Sequence, residues 1–207
     1  PSYTEILTRG GVEATNLANN HSHDYGDQSY EDTIQYLEAA GITTFGYDRT
    51  AVMDVKGIKV GLIGIYELKD GIGRQQQVID TIQEVKNQGA QVIIVSFHWG
   101  TEKSNIPDDA QKTLAHLAID QGADLVVGHH PHVLQGIEKY QGKNIVYSLG
   151  NFCFGGNKNP SDKDTMIFQQ TFTIEKGEVQ AAAAATVVPC SISSTAGYND
   201  YQPTPTE

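Results

Sequence analysis

Cysteine, methionine and tryptophan are scarce in this 207-residue chain, which has two, two and one of them. Two cysteines far apart, Cys153 and Cys190, exclude a framework of several disulfides. They form either a single bridge or a pair of buried thiols. No apolar run approaches the roughly 18 residues that a membrane-spanning helix needs. The longest runs, 60–66 and 92–97, have the length of buried strands. Basic residues are also few: 14 Lys and Arg stand against 25 Asp and Glu, for a net charge of −11, and no basic cluster stands out. Nucleic acid, which needs a basic footprint, is therefore not an expected partner. The same acidity weighs against a polyanionic ligand unless bound cations reverse the local field. The chain begins at Pro1 and shows no signal peptide, which leaves its compartment undecided.

What is present is ordinary globular material: 39% hydrophobic and 19% charged residues argue against disorder. The length favours one domain, 1–189, followed by an extended polar tail or linker, 190–207, rich in Ser, Thr, Gly, Asn and Pro. The patterning predicts a helix opening at Ser29, with Asp32 completing a box-like cap, and stopping at Gly41. Further helices are expected over 78–88 and from Pro107 to Gly122. Apolar strands are expected over 57–66, 91–97, 124–127 and 144–149, an alternation typical of α/β folds. The segments 165–175 and 178–189 flank Lys176-Gly177 and predict an antiparallel hairpin.

Of seven histidines, only His116 falls inside an expected helix, where it reads as a partly exposed side chain. The others sit at or just beyond apolar segments: His21 and His23 after 15–20, His98 after 91–97, and His129, His130 and His132 after Val127. Ligands of open α/β sheets gather outside the carboxyl ends of strands, so this is where a site belongs. A single histidine in such a place is commonly a hydrogen-bonded loop residue, but convergence on histidine at several strand ends is hard to explain by packing. His130-Pro131-His132 brings two imidazoles within reach of one or two cations. Asn19-Asn20-His21 is a weaker signal. An asparagine carbonyl can ligate a metal, and the adjacent imidazole can then protonate a leaving group. Asp24 either orients His21 or closes a turn. Trp99 either lines the pocket or caps the core, and Glu102 is a second lining candidate. Asn151 either donates to a substrate oxygen or caps a loop. The polar loop 157–164, with Lys158, Lys163 and Asp164, is a candidate for substrate contact.

The order Asn-His, then His, then His-x-His, each after a strand, resembles the calcineurin-like metallophosphatases. More closely, four blocks resemble the CapA family, named for poly-gamma-glutamate capsule synthesis. They are Leu17-Ala18-Asn19-Asn20-His21 with Asp24-Tyr25-Gly26, Phe97-His98-Trp99-Gly100, Gly128-His129-His130-Pro131-His132-Val133, and Tyr147-Ser148-Leu149-Gly150-Asn151-Phe152. The likeness runs over 1–189. It implies an α/β/β/α sandwich of metallophosphatase type. It implies that Asn20, His98 and His130 hold one metal, that His132 serves a second, and that His21 is the catalytic proton donor. His129 falls outside the ligand set, because the matching spacing is His130-x-His132. Asp24, Trp99, Glu102 and Asn151 would be supporting or substrate-contacting residues.

The resemblance further implies two divalent metals, Mn, Zn or Fe, in the complete protein, and a metal-dependent hydrolase acting on a phosphoester or a gamma-glutamyl amide. The competing expectation is a non-catalytic, polymer-binding subunit of a membrane synthesis and export complex. Either way the location implied is extracytoplasmic, at the bacterial cell surface, with a membrane anchor in the full-length protein. The chain departs from the family pattern in one respect. The Gly-Asp strand end and the Asn-Leu-Glu motif that supply acidic ligands do not occur before Asn20. The first strand or strands are thus expected to be missing. The remaining ligands, Asn20, His98, His130 and His132, are all neutral, and such a site binds hard cations poorly. This piece is accordingly expected to be metal-free alone, or completed by the missing N-terminal segment, carried by another chain.

Overall fold

In the computed structural model, which describes residues 2–180 and 185–206, strands and helices alternate through most of the chain. A short helix α1 (Thr4–Arg9) precedes β1 (Ala14–Asn16), α2 (Asp27–Ala39), β2 (Thr43–Phe45), β3 (Ala51–Val55) and β4 (Ile58–Tyr66). A 3-10 turn (Gly71–Arg74) leads into α3 (Gln75–Asn87), β5 (Val92–His98), α4 (Asp109–Asp120), β6 (Leu125–His129), β7 (Ile137–Tyr140) and β8 (Lys143–Val146). The last part is β9 (Asp164–Gln170), β10 (Ile174–Glu175), β11 (Glu178–Val179), β12 (Ala185–Ser191) and β13 (Thr204–Pro205).

Six strands form one sheet in the order β3-β4-β5-β6-β8-β7. The inner four, β4, β5, β6 and β8, are mutually parallel, and β3 and β7 close the edges antiparallel. A strand covered on both faces reads as a continuous apolar run, and β4 is buried without a break from Gly61 to Ile65. Side chains of a strand alternate between faces. Ile63, Ile65, Ile93, Val95 and Phe97 point to the face where α3 contributes Val78, Ile82 and Val85, and α4 contributes Leu114, Ala115 and Ala118. On the opposite face, Gly64 meets β1 so closely that a Cβ there would lie 2.2 Å from Asn16 Oδ1. Asn16 Nδ2 donates to Ser96 Oγ at 2.9 Å on the same face. The parallel pair β1–β2 therefore lies over β4 and β5, and α2 packs on it through Leu17, Ile34, Leu37 and Ile42. The chain is an α/β sandwich in which the six-stranded sheet has α3 and α4 on one face and the β1–β2 pair with α2 on the other.

The ends of the elements differ in places from the expectation. The cap of α2 is Gly26, with φ 85°, rather than Ser29, whose carbonyl accepts from Thr33 inside the helix. Pro107 precedes α4 without starting it. Asp108 is the cap, accepting from Gln111 N at 2.8 Å while Gln111 Oε1 accepts from Asp108 N at 3.0 Å. That reciprocal box satisfies two groups the helix start leaves open, and it outranks the proline signal. The hairpin is present as β9 against β12 and β10 against β11, around Lys176-Gly177. Within it, 181–184 lie outside the described residues.

The polar segment 190–206, expected as an extended tail, lies against this small sheet. Cys190 pairs with Pro205, Cys190 and Ile192 are buried, and Asn199 Nδ2 donates to the carbonyls of Phe154 and Asn157. Hydrogen bonds from Ser and Asn, not apolar periodicity, hold it there. Cys190 is buried and Cys153 exposed, and both are free thiols.

Glu67, just beyond β4, is a buried carboxylate whose Oε2 accepts from Gly100 N at 3.3 Å. Burial raises its pKa above the ordinary value, opposed by that hydrogen bond. The folded state thus holds this proton more tightly than the unfolded chain. The resulting stability is complete below the unfolded value of about 4.3 and is lost as pH rises through the higher folded value. Glu67→Gln is expected to flatten that pH dependence. Urea midpoints of both proteins at about pH 4 and pH 7 should diverge at the higher pH, with the variant the more stable.

Candidate metal centre

Parallel pairing sets Tyr66 opposite His98, and His98 opposite His129, so the carboxyl ends of β4, β5 and β6 form one row. The chain turning out of β6 then delivers His130 and His132. Their rings continue the row from His98, with centroids 4.8 Å apart for His98–His130 and 5.8 Å for His130–His132. His130 and His132 both have positive φ, 98° and 60°, on either side of Pro131. Such backbone is costly for residues with a Cβ, about 1–3 kcal/mol each, and it is retained where function holds it.

Asn20 reaches the row from the loop after β1, with Oδ1 2.9 Å from His98 Nε2. Beside it His21 Nδ1 lies 2.8 Å from Asp24 Oδ2, and His21 Nε2 lies 3.4 Å from Asn20 Nδ2. A carboxylate accepts only, so His21 carries its proton on Nδ1 whenever the ring is neutral. His132 is held from both ends: Nδ1 donates to Asn151 Oδ1 at 2.7 Å, and Asn151 Nδ2 donates to the His132 carbonyl at 3.1 Å. That fixes the Nδ1–H tautomer and leaves the Nε2 lone pair free.

Burial lowers the pKa of His98 to about 3, with the neighbouring histidines adding to the effect, and burial lowers that of His129 to about 4. Burial also lowers His130. These three buried imidazoles, His98, His129 and His130, are neutral at physiological pH, the form in which an imidazole ligates metals.

The residues fit a divalent cation on several counts. The separation between Asn20 Oδ1 and His98 Nε2 is that of two adjacent ligands with bonds of about 2.0–2.2 Å. His130 Nδ1 is buried and has no hydrogen-bond partner, a condition that folded proteins rarely leave standing. The third count is Glu102. Its carboxylate and the ring nitrogens of His130 and His132 provide ligand atoms that all lie within 4.8 Å of one another. Glu102, expected as a pocket-lining residue, thus places a carboxylate close to two of the candidate ligand histidines. Its nearness to His130 and His132 is not legible in the sequence, because Glu102 lies in an irregular loop, where no periodicity aims a side chain. The turn at Gly100, φ 77°, and the bond from Lys103 N to the Pro131 carbonyl at 2.7 Å bring it back over the histidines.

Trp99 does not face the site. It is fully buried, stacked on Phe97 at 4.3 Å, and its Nε1 donates to the Tyr147 carbonyl at 2.9 Å. His23 stacks on Tyr30 at 4.4 Å, and His116 stacks on Tyr140 at 3.9 Å and meets Glu138 at 2.9 Å, so both serve local packing. The strand-end row opens to an apolar-walled cavity of about 590 Å³ lined by β1, Asn20, His21, Ser96, His98, His129 and His132. A second cavity of about 380 Å³, on the other side of His132, is lined by Glu102, Lys103, Asn151, Asn157 and Asp162. It takes in Asn157, Pro160, Ser161 and Asp162 of the loop expected to contact substrate.

The bond from Asn151 carries a direct expectation. In Asn151→Ala the His132 ring loses its anchor, and cation affinity measured by calorimetry should fall about 10–100-fold with little change in stability.

A sheet in which the parallel strands β4, β5 and β6 end beside a cluster of imidazoles, an amide and a carboxylate defines an α/β protein with its candidate site at the carboxyl edge. Residues 1–156 match the family model described as bacterial capsule synthesis protein PGA_cap, and the chain belongs to this family, the CapA family. It is 34% identical over 172 residues to the capsule biosynthesis protein CapA of Bacillus anthracis, covering 72% of this chain and 42% of that protein. It is 37% identical over 173 residues to the PGA biosynthesis protein CapA of Bacillus subtilis, covering 72% and 44%. A Mycobacterium tuberculosis protein described as a probable polyglutamine synthesis accessory protein is 30% identical over 182 residues, covering 73% and 47%. The chain thus spans less than half the length of these relatives. A solved structure, a hypothetical protein from Thermus thermophilus, has a TM-score of 0.57 at 15% identity, over 91% of this chain and 80% of that one. It shares the fold.

Proposed function

We propose that this chain carries the metal-dependent hydrolytic site of a protein of poly-gamma-glutamate or related cell-surface polymer metabolism. The observation that carries the reading is the convergence of Asn20, His98, His130, His132 and Glu102 at the strand ends. Asn20, His98 and His130 would hold one divalent cation and His132 a second, with Glu102 beside His130 and His132. Bound cations at such a site polarise the scissile group and make water a stronger nucleophile.

The chain's own residues supply the rest. Asp24 holds His21 by Nδ1, so a protonated His21 presents Nε2–H beside Asn20, where a leaving group can take it. Asn151 keeps His132 in its ligating tautomer. The metallophosphatase resemblance favours a phosphoester, and the capsule connection of the relatives favours a gamma-glutamyl amide. The place of action is the bacterial cell surface, in a membrane-anchored synthesis complex. Further acidic ligands would come from an additional N-terminal segment. The reading is supported by β1, which pairs with β2 alone among the described strands and lines the 590 Å³ cavity.

A polymer-binding accessory role is the second reading, favoured by the description of the mycobacterial relative. The test assays the protein with Mn or Zn on a generic phosphodiester and on a gamma-glutamyl oligomer. Turnover of either, lost in His130→Ala, supports the hydrolase. Cation binding without turnover of either supports the accessory role.

A further inference from the structure

A third cavity, of about 310 Å³, adjoins the histidine cleft, and Asn19 and Asn20 form the wall common to both. The rest of its lining is His23, Tyr47 and Tyr66, with Lys69 and Arg74. Tyr66 links it to the candidate centre, its ring 5.8 Å from that of Tyr47 and 6.1 Å from that of His98.

The charge of this cavity sets it apart. In a chain with a net charge of −11, its lining has two cations and no carboxylate. The cavity beyond His132, by contrast, has Glu102 and Asp162 against Lys103. Arg74 is fixed in place: Nη2 meets Asp70 at 2.6 Å, Nη1 donates to Gln77 Oε1 at 3.1 Å, and Gln77 donates in turn to the Tyr47 carbonyl at 3.0 Å. Its Nε is buried with no hydrogen-bond partner. Asp70 offsets one of the two positive charges, and Lys69 makes no ion pair or hydrogen bond among the described residues, so its charge is available. Tyr47 is held by its hydroxyl, which donates to the Asn19 carbonyl at 2.5 Å, so the aromatic wall is rigid.

We propose that this cavity is an anion subsite, in which Lys69 and Arg74 receive a carboxylate or phosphate of a substrate whose reacting bond lies across Asn20 at the histidines. This rests on the reading of the histidine cluster as the reacting centre. The volume is at the lower end of the ~300–1,000 Å³ typical of ligand sites, which suits one charged unit and not a length of polymer. A gamma-linked glutamyl unit has the matching chemistry, one free carboxylate and a short methylene stem to lie on the tyrosines. A phosphate has the charge without the stem.

The test titrates the intact protein with a gamma-linked glutamate trimer and, separately, with inorganic phosphate, following the Tyr47 and Tyr66 ring resonances. Lys69→Gln removes an exposed charge and leaves the fold intact. It is expected to weaken binding about tenfold, the order of one charge-assisted contact. Lys103→Gln, in the cavity beyond His132, is expected to leave it unchanged. Tighter binding of the trimer assigns the subsite to carboxylate, and displacement of the trimer by phosphate assigns it to phosphate. The proposal is overturned if neither probe moves the tyrosine resonances, or if Lys69→Gln binds as tightly as wild type. It is also overturned if the Lys103 variant is the one that weakens. Lys69-dependent binding in a protein without turnover would keep the subsite and remove the hydrolase. Turnover with a KM indifferent to Lys69→Gln would do the reverse.

Discussion

Replacing His130 with alanine is expected to lower divalent-cation affinity about 100-fold, and turnover with it, while leaving the fold almost untouched. Both halves of that result follow from the same ring. His130 stands between His98 and His132, 4.8 and 5.8 Å from them by ring centroid, so its loss separates the two sides of the ligand set. Yet Nδ1 makes no hydrogen bond, and truncation strands no partner. A second variant sharpens the contrast. His130 has φ 98°, a conformation that glycine adopts freely and other residues resist. His130→Gly should therefore lose the cation as the alanine variant does, yet be the more stable of the two variants by about 1 kcal/mol. Calorimetric titration with Mn and urea denaturation of both variants read the two quantities separately. A large loss of stability in His130→Gly would mean that the residue serves packing.

The other large effect is expected at Gly128, two residues before the site. A Cβ there would lie 2.0 Å from the Tyr147 carbonyl oxygen and 2.4 Å from Trp99 Nε1, the two ends of a buried hydrogen bond. Neither neighbour has room to yield: the carbonyl is backbone, and the indole is clamped against Phe97. Gly128→Ala should destabilise the protein by about 3 kcal/mol, the upper range for overpacking. It should also shift the turn that carries His130 and His132. Gly136→Ala is the control, because a Cβ there meets nothing within 4 Å. A surface change of that kind stays within about 0.5 kcal/mol. Urea midpoints compared for the two variants give the answer.

The parts of this architecture that the sequence shows are those governed by a simple period or a local cap. The buried strands β4, β5 and β6 are apolar runs of strand length, and α3 is terminated near Gly89, as its pattern predicts. Placing His98 and His130 together needed only the rule that sites gather at the carboxyl ends of parallel strands. What escaped is set by long-range contact. The parallel pair β1–β2 is three residues a side, too short for a periodic signal, and it is held by Asn16 bonding Ser96 across 80 positions. Glu102 joins the histidines because a loop doubles back over Pro131. Trp99 was ambiguous because a residue next to a strand-end histidine can turn either way, and a stack on Phe97 with a bond to Tyr147 decides it. The segment 190–206 is polar, and its place in the structure comes from side-chain amides and hydroxyls that carry no hydrophobic pattern.

Cation content is the most direct measurement. The purified chain, equilibrated with Mn and then freed of unbound ion, is analysed for metal beside its His130→Ala and Glu102→Gln variants. The expected result is about one equivalent or more in wild type, with both variants depleted, since each removes one of three clustered groups able to ligate a cation. Equal metal content in all three proteins, or none in wild type, would contradict the assignment of this cluster as a metal centre.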